Sequence, residues 1–498
     1  MLIRRNYLDE AKHLFNFFFS YKGPAMKIWT VLVAAGEGLR FGSKKQLAEL
    51  AGMPVLLHST LNASSVSDGI VIVTSADDID FVENSLKSFN LLHEVVEGGT
   101  TRSESVRCGL EKVPHDSEIV IVHDGVRPLA SQELFKLVVE KVKNQLDDFS
   151  HSCFAFAPHE NAVKLSEELN KRYPINSDTK TFMVNSGAEA VENAVKIARY
   201  FTNKKGILSF KGGFHGRTYL AMGLTGKDKP YKEGFGPFPE FVKHASYPYA
   251  YRDVSDDQAL ESVKELFNTT LDPNDTAAMI VEVQLGEGGY IPASSYFLQN
   301  LREICNEKNI LLIFDEVQTG FGRTGNMFGA ETVNVVPDIV TLAKGIAGGF
   351  PLAAVLGKSE IMDSIHDAGI GSTFGASPVS CAAALGVLEA FDNENILENA
   401  TKQSEIMNSQ LLNMLKEYDF IGDVRGYGPM IGVEIVKGKD LNSPDKDKTM
   451  QIISKCKDNG LLLVSCGENG NVIRFMGPLT TPINQVEEAL EIFKNSLN

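Results

Sequence analysis

Two residues of this 498-residue chain, 29 positions apart, could serve one cofactor. Lys344 stands in TLAKGIAGGFPLAA, a short apolar, Gly-rich setting where a lysine loses its proton more readily and can form a Schiff base; a lone lysine there could also be an exposed loop charge. Asp315 ends the apolar run ILLIFD, where a strand should be buried. A buried carboxylate needs a cationic or hydrogen-bonding partner: an Arg, a helix N-terminus that it caps, or the protonated nitrogen of a pyridine ring. Set beside Lys344, it favours the ring of pyridoxal phosphate (PLP), which stays an electron sink while that nitrogen is protonated. An anion site is available too. Ser186, Gly187 and Ala188 open the amphipathic stretch SGAEAVENAVKIAR, where free N–H groups and the helix dipole attract a phosphate, or where Ser186 acts as an ordinary cap. In GGFHGRT, Phe214 offers a ring to stack on a cofactor and Arg217 a receptor for a carboxylate.

These residues need rigid elements behind them. Apolar runs of strand length recur as TVLVAAG, GIVIVTS, EIVIVHDG, NILLIFDEV and PDIVTLAKG, each followed by a polar loop and a helical pattern, so the chain is predicted to be α/β with parallel sheets buried on both faces. Val191, Ala194, Val195 and Ala198 share one stripe of a helix, as do Phe297, Leu301, Ile304 and Cys305 of another.

The first 143 residues suggest a different chemistry. The strand TVLVAA runs into GEGLRFGSKKQL, where Gly36 and Gly38 allow the backbone to approach phosphates and Arg40, Lys44 and Lys45 add positive charge; a plain strand-to-helix turn would read the same way. EGGTTRSESVRCGL then places Gly98, Gly99, Arg102 and Ser105 at a second loop entering a helix. IVIVHDGVRP sets Asp124 at a strand end, a candidate Mg²⁺ ligand or a solvated loop carboxylate, with Arg127 three residues on.

In this order the three motifs resemble 2-C-methyl-D-erythritol 4-phosphate cytidylyltransferase over residues 27–143. The resemblance implies a partial Rossmann-like nucleotidyltransferase domain that uses CTP with Mg²⁺ in isoprenoid biosynthesis. Arg40 and Lys45 would hold the triphosphate, Gly98, Gly99 and Ser105 would read the cytosine, and Asp124 and Arg127 would face the metal and the sugar phosphate. That family's second half, with its dimer arm and a further catalytic lysine, does not follow residue 143.

From Phe149 onward, SGAEAVENAVKIAR, GGFHGRT, GEGG, FDEVQTGFGRTG and TLAKGIAGGFP resemble the class III PLP-dependent aminotransferases, and HGRTYLAMGLTGKDKPYKEGFGPFP is similar to their 4-aminobutyrate (GABA) branch. The resemblance implies a fold-type I transferase, with a large α/β domain over 149–390 and an α+β small domain over 391–498, working as a homodimer on small amino acids and 2-oxo acids. Lys344 would bind PLP covalently and shuttle a proton, and Asp315 would hold the pyridine nitrogen. Gln318 would lie by the ring oxygen, Gly187 and Ala188 would hold the phosphate, and Thr373 would reach the partner subunit's phosphate. Arg217 and Arg474 would bind carboxylates, with Glu287 neutralising Arg474 when an ω-amino substrate is present. The segment EVQLGEGG departs from the family's usual spelling at Val283 and Leu285, and the family's opening helix and small antiparallel sheet do not precede Phe149.

Composition narrows the rest. A net charge of −16 spread along the chain argues against a nucleic-acid partner, and the six scattered cysteines, with no C-x-x-C pair, fit a reducing cytoplasm. No run approaches the roughly 20 apolar residues of a membrane span. Residues 1–26, which include LFNFFFS, read as an N-terminal extension translated from upstream of a natural start at Met26, and less readily as a targeting signal, because the apolar run is short and flanked by charges. The junction VKNQLDDFSHSCF reads as a helix rather than a linker. Three readings follow: an ω-amino acid aminotransferase, a cytidylyltransferase alone or as half of a bifunctional enzyme, and a chimera that only binds PLP or nucleotide. The junction favours a join of two incomplete enzymes, with the aminotransferase side the better preserved.

Overall fold

The computed structural model describes residues 27–35, 45–47, 49–50, 53–87, 89, 91–99, 102–117, 119–124, 132–175, 177–438 and 440–498. Three large sheets organise them, beside a two-stranded ribbon of Glu49–Leu50 and Met53–Pro54. The first is parallel, formed by β1 (Ile28–Val33), β2 (Gly69–Thr74), β3 (His93–Glu97) and β4 (Ile119–Asp124) in the order β3-β2-β1-β4. Its two central strands, β1 and β2, are almost wholly apolar and buried at every position because both of their faces are covered. On one face Leu32, Ile70 and Ile72 meet Leu56 and Leu57 of α1 (Val55–Ser64); on the other, Val31, Val33, Val71 and Val73 meet Val106 of α2 (Arg102–Leu110). Strand β4 has no second strand neighbour among the described residues, and its Val120 and Val122 are exposed.

Helix α3 (Gln132–Asp148) joins this unit to the next. Its Val138 and Val142 enter the core of the second unit, and the helix packs along α7 (Pro378–Asn393), while α1 lies against it from the N-terminal side. Leu137 adds to a cluster with Ala390, Ile396, Ala400 and Leu479, so α3 covers apolar surface near the start of the small domain. The expected boundary between 143 and 149 therefore falls at the C-terminal end of a helix that both units touch. The helix read across VKNQLDDFSHSCF stops at Asp148. The Gln145 side-chain amide donates to the Phe149 carbonyl at 2.8 Å, and the rings of Phe149 and Phe154 turn inward, edge-on to His159. His159 Nδ1 accepts from Ala162 N–H at the start of α4 (Glu160–Arg172), which leaves Nε2 to donate to the Ala376 carbonyl at 2.7 Å.

The second sheet carries seven strands: β5 (Thr179–Val184), β6 (Gly206–Phe210), β7 (Val242–Ala245), β8 (Thr276–Val281), β9 (Leu311–Asp315), β10 (Ile339–Leu342) and β11 (Ala353–Lys358), in the order β5-β11-β10-β9-β8-β6-β7. It is parallel except for β11, which runs antiparallel to β10 and β5. The sheet was expected to be parallel throughout; a buried apolar run carries no signal of strand direction. Helix α5 (Gly187–Thr202) packs Val191, Ala194, Val195 and Ala198 on one face. Helix α6 (Ser295–Lys308) packs Phe297, Leu301 and Cys305 on the other.

The third sheet, wholly antiparallel, contains β12 (Ile421–Tyr427), β13 (Met430–Lys437), β14 (Asp440–Pro444), β15 (Val464–Cys466) and β16 (Val472–Phe475). Its apolar face packs against α8 (Ile396–Glu417), α9 (Lys446–Asp458) and α10 (Ile483–Ser496) to form a separate core. All six cysteines are free, and among the described residues no helix is long and apolar enough to cross a membrane.

Candidate active site

Parallel strands deliver their carboxyl ends to one edge of a sheet, and the candidate residues gather there. Asp315 closes β9 in register with Thr341 of β10. Its Oδ1 accepts from the Thr341 hydroxyl and from Val317 N–H, both at 3.1 Å, and Oδ2 lies 2.7 Å from His215 Nδ1. Both Asp315 and His215 are buried, so the carboxylate is fixed in direction before any ligand arrives. Lys344 lies two residues past β10, with φ at +46°. A non-glycine residue is rare in that left-handed region, where strain collects at functional sites. Lys344 keeps exposed surface, yet burial among the surrounding protein lowers its ammonium below the usual lysine range, against the opposing pull of Glu282, Asp315 and Glu287.

The N-terminus of α5 sits against this pair. Ser186 accepts from Glu189 N–H at 3.3 Å, and the N–H groups of Gly187 and Ala188 have no acceptor among the described residues. A Cβ on Gly187 would meet Val317 at 3.0 Å and Ala343 at 3.5 Å, so the helix start is pressed on the segments that carry Asp315 and Lys344. Asn185 ties in a further loop: its amide donates to Glu189 at 3.1 Å and to the Ser372 hydroxyl at 2.9 Å, beside the exposed Thr373.

A second cluster faces the first. Arg474 on β16 meets Glu287 at 2.7 Å, from Nη1 to Oε1, and the Arg474 Nε is buried with no partner. The other Glu287 oxygen accepts from Tyr231 Oη at 2.8 Å. Burial pushes the Glu287 carboxyl up, but Arg474 and the Tyr231 hydroxyl outweigh it and hold the group below its ordinary range. Burial and the neighbouring Glu287 push the Tyr231 phenol up to about 12. The Tyr231 ring packs on Phe214 at 4.9 Å between centroids, and the Arg217 guanidinium lies 4.7 Å from its centre. Gln318 donates weakly to Tyr290 Oη and to Met476 Sδ, at 3.4 and 3.3 Å, across the mouth of the small domain.

Glu282 anchors the whole edge. It accepts from Phe214 N–H at 2.8 Å and from Gly286 N–H at 2.9 Å, and burial raises its carboxyl to about 7. Contacts and charge interactions thus link Lys344, Asp315, Phe214, Gln318, Arg217, Arg474 and Glu287, while Ser186, Gly187 and Ala188 at the helix start pack against the segments that carry Asp315 and Lys344, and Thr373 lies on a loop beside them. His215 and Tyr231 escaped the reading of the sequence. His215 lay between two residues that were singled out, in GGFHGRT, and a buried Asp needing a partner was the signal that could have found it.

In the N-terminal unit, Gly98 packs so closely that a Cβ there would meet Ala35 at 2.3 Å and Ser105 Oγ at 2.8 Å, and Ser105 donates to the Gly99 carbonyl at 3.3 Å. Asp124 ends β4 in register with Val33 of β1. The carboxyl ends of the sheet therefore bring the second and third motifs toward the end of β1. Gly36, Gly38, Arg40 and Arg127 lie outside the described residues, and for Lys45, Arg102 and Asp124 only the backbone is described.

Known proteins divide the chain in a similar way. The family model for 2-C-methyl-D-erythritol 4-phosphate cytidylyltransferase matches residues 28–168, and that for class-III aminotransferases matches 136–497, so the two overlap across α3 and α4. The chain is 44% identical to a 5-aminovalerate aminotransferase of Pseudomonas putida over 377 residues, covering 76% of this chain and 88% of that protein. It is 43% identical to a 4-aminobutyrate aminotransferase of Escherichia coli over 368 residues, 74% of this chain and 86% of the relative. A solved aminotransferase structure from Bacillus anthracis superposes with a TM-score of 0.69 at 30% identity, over 73% of this chain and 85% of that one. The aminotransferase match covers well over half of the chain, the relatives are more than 40% identical across most of their length, and this chain belongs to the class-III aminotransferases.

Proposed function

We propose that the protein transfers the amino group of 4-aminobutyrate or a related ω-amino acid to 2-oxoglutarate, as a PLP-dependent homodimer of the cytoplasm. The observation that carries this reading is the Glu287–Arg474 ion pair facing Arg217. An ω-amino acid presents one carboxylate, which Arg217 receives while Glu287 keeps Arg474 neutralised. A 2-oxo dicarboxylate presents two, and the second needs Arg474 released. One pocket then serves both partners of the exchange.

The residues present fit the cofactor. The unsatisfied N–H groups of Gly187 and Ala188, with Ser186, suit a phosphate, to which Thr373 of the partner subunit would add a hydroxyl. Asp315 suits a protonated ring nitrogen, Phe214 a ring face, and Gln318 a ring oxygen. When bound, PLP withdraws electrons from the carbon that carries the amino group. Lys344, with its ammonium weakened by burial, holds and returns the proton at that carbon. Asp315 keeps its charge directed at the ring, and the two arginines orient the substrate carboxylates.

The test is a reconstituted assay. Protein supplied with PLP should form glutamate from 2-oxoglutarate and GABA or 5-aminovalerate, and Lys344→Ala should abolish this. PLP binding without turnover of either donor would instead support a chimera that only binds its cofactor.

A second reading, cytidylyl transfer from CTP with Mg²⁺ near Asp124, is favoured by the convergence of Gly98, Ser105 and the end of β1 at one sheet edge. Its check is CTP-dependent release of pyrophosphate in the presence of 2-C-methyl-D-erythritol 4-phosphate.

A further inference from the structure

Glu287 is held from two sides. Arg474 takes Oε1, and the hydroxyl of Tyr231 takes Oε2 at 2.8 Å. The phenol itself has little freedom. It is 8% exposed, its ring packs on Phe214, and Arg217 and Lys227 approach the ring at 4.7 and 5.7 Å from its centre. The segment that carries it is pinned to the same loop it touches: Lys227 Nζ donates to the Gly467 carbonyl at 2.7 Å, and Gly467 N–H donates to the Glu287 carbonyl at 3.0 Å. Tyr231 therefore meets both halves of the carboxylate-binding apparatus, one through its ring and the other through its hydroxyl.

A clamped hydroxyl cannot follow a carboxylate that swings away. Its hydrogen bond exists while Glu287 is closed on Arg474 and is lost when Glu287 leaves. We propose that Tyr231 is the positioning residue that sets substrate preference in this pocket, by holding Glu287 on Arg474 and so favouring monocarboxylate ω-amino acids over dicarboxylate α-amino acids. The inference rests on the proposed release of Arg474. A hydrogen bond to a charged group contributes enough to weight the two states by about tenfold.

The experiment compares kcat/KM for GABA and for L-glutamate in the PLP-loaded wild type, Tyr231→Phe, Glu287→Gln and the double variant. Tyr231→Phe keeps the ring and its contacts with Phe214 and Arg217, and retention of the visible cofactor absorption reports that the site is intact. The expected result is a rise of about tenfold in the glutamate-to-GABA ratio for Tyr231→Phe, with no further rise when it is added to Glu287→Gln, because the hydroxyl acts through that carboxylate. An unchanged ratio in Tyr231→Phe, while Glu287→Gln shifts it, overturns the inference and leaves the Arg474 reading standing. Equal losses with both substrates, additive on Glu287→Gln, also overturn it and assign Tyr231 a packing role. If Glu287→Gln itself leaves the ratio unchanged, the release of Arg474 fails, and the inference fails with it.

Discussion

A Cβ placed on Gly286 would stand 1.9 Å from the Oε1 of Gln318. The loop that supplies Glu287 thus lies directly on the amide proposed to face the cofactor ring, and only a residue without a side chain leaves room for it. Gly286→Ala should displace Gln318 and weaken PLP binding by roughly tenfold or more, an effect on the order of 1–2 kcal/mol. Fluorescence titration of the apoprotein with PLP checks this. Unchanged affinity would remove Gln318 from the cofactor site.

Asp315 should be needed for turnover more than for cofactor attachment, because its carboxylate, rather than its bulk, is what His215 and Thr341 orient. Asp315→Asn should retain cofactor bound through Lys344 and lower kcat by roughly a hundredfold or more. Absorption spectra and single-turnover rates separate the two effects, and a rate near wild type would assign the Asp315 charge a structural role only.

Stability should fall as pH rises toward 7. Burial raises Glu282 and Glu316 to about 7, so their protonated forms favour the fold, and that contribution is lost between the ordinary value of 4.5 and about 7. His244, lowered by burial to about 4 from 6.5, works in the opposite direction over its own window, because the unfolded chain binds its proton more readily. Two carboxylates outweigh one imidazole, and above pH 6.5 the imidazole no longer opposes them. Urea unfolding between pH 5 and 8 should show a net loss, on the order of 3 kcal/mol for each carboxylate before the histidine is subtracted. Glu316→Gln should flatten part of the slope. A stability that climbs steadily to pH 8 would mean that both groups ionise normally in the fold.

The junction helix makes a contrast between two valines. Val142 is 5% exposed within the large-domain core, whereas Val122 on β4 is 41% exposed. Val142→Asp buries an unpaired carboxylate and should cost several kcal/mol, while Val122→Asp should change stability by about 0.5 kcal/mol or less. Calorimetry of the full chain compares them, and equal effects would show that α3 is not part of that core.

Much of this was legible in the sequence because the signals were local. Runs such as GIVIVTS and ILLIF are strands covered on both faces, and the spacing of Val191, Ala194, Val195 and Ala198 sets the buried stripe of α5. Lys344 and Asp315 stood out by residue type in their settings. What was not legible joins distant segments. The contact of His215 with Asp315 spans 100 residues, and that of Tyr231 with Glu287 spans 56, and neither leaves a periodic trace. The end of α3 was misread for a similar reason: Phe149 and Phe154 continue an apolar pattern, but their packing partner, His159, lies in the next segment and draws the chain out of the helix. The reversed strand β11 is as apolar as its parallel neighbours, so composition gave no warning of its direction.

The position of α3 between two units also bears on how the chain is made. A ribosome delivers Val138 and Val142 long before α7, the helix that covers them, which begins roughly 240 residues downstream; at the usual speed of synthesis that interval is on the order of tens of seconds. Through it, the apolar side of α3 must wait beside an N-terminal unit that is already complete as a sheet and that reaches it through α1. Val138 and Val142 therefore lack their permanent cover until α7 emerges, although every strand of the N-terminal sheet has by then been made.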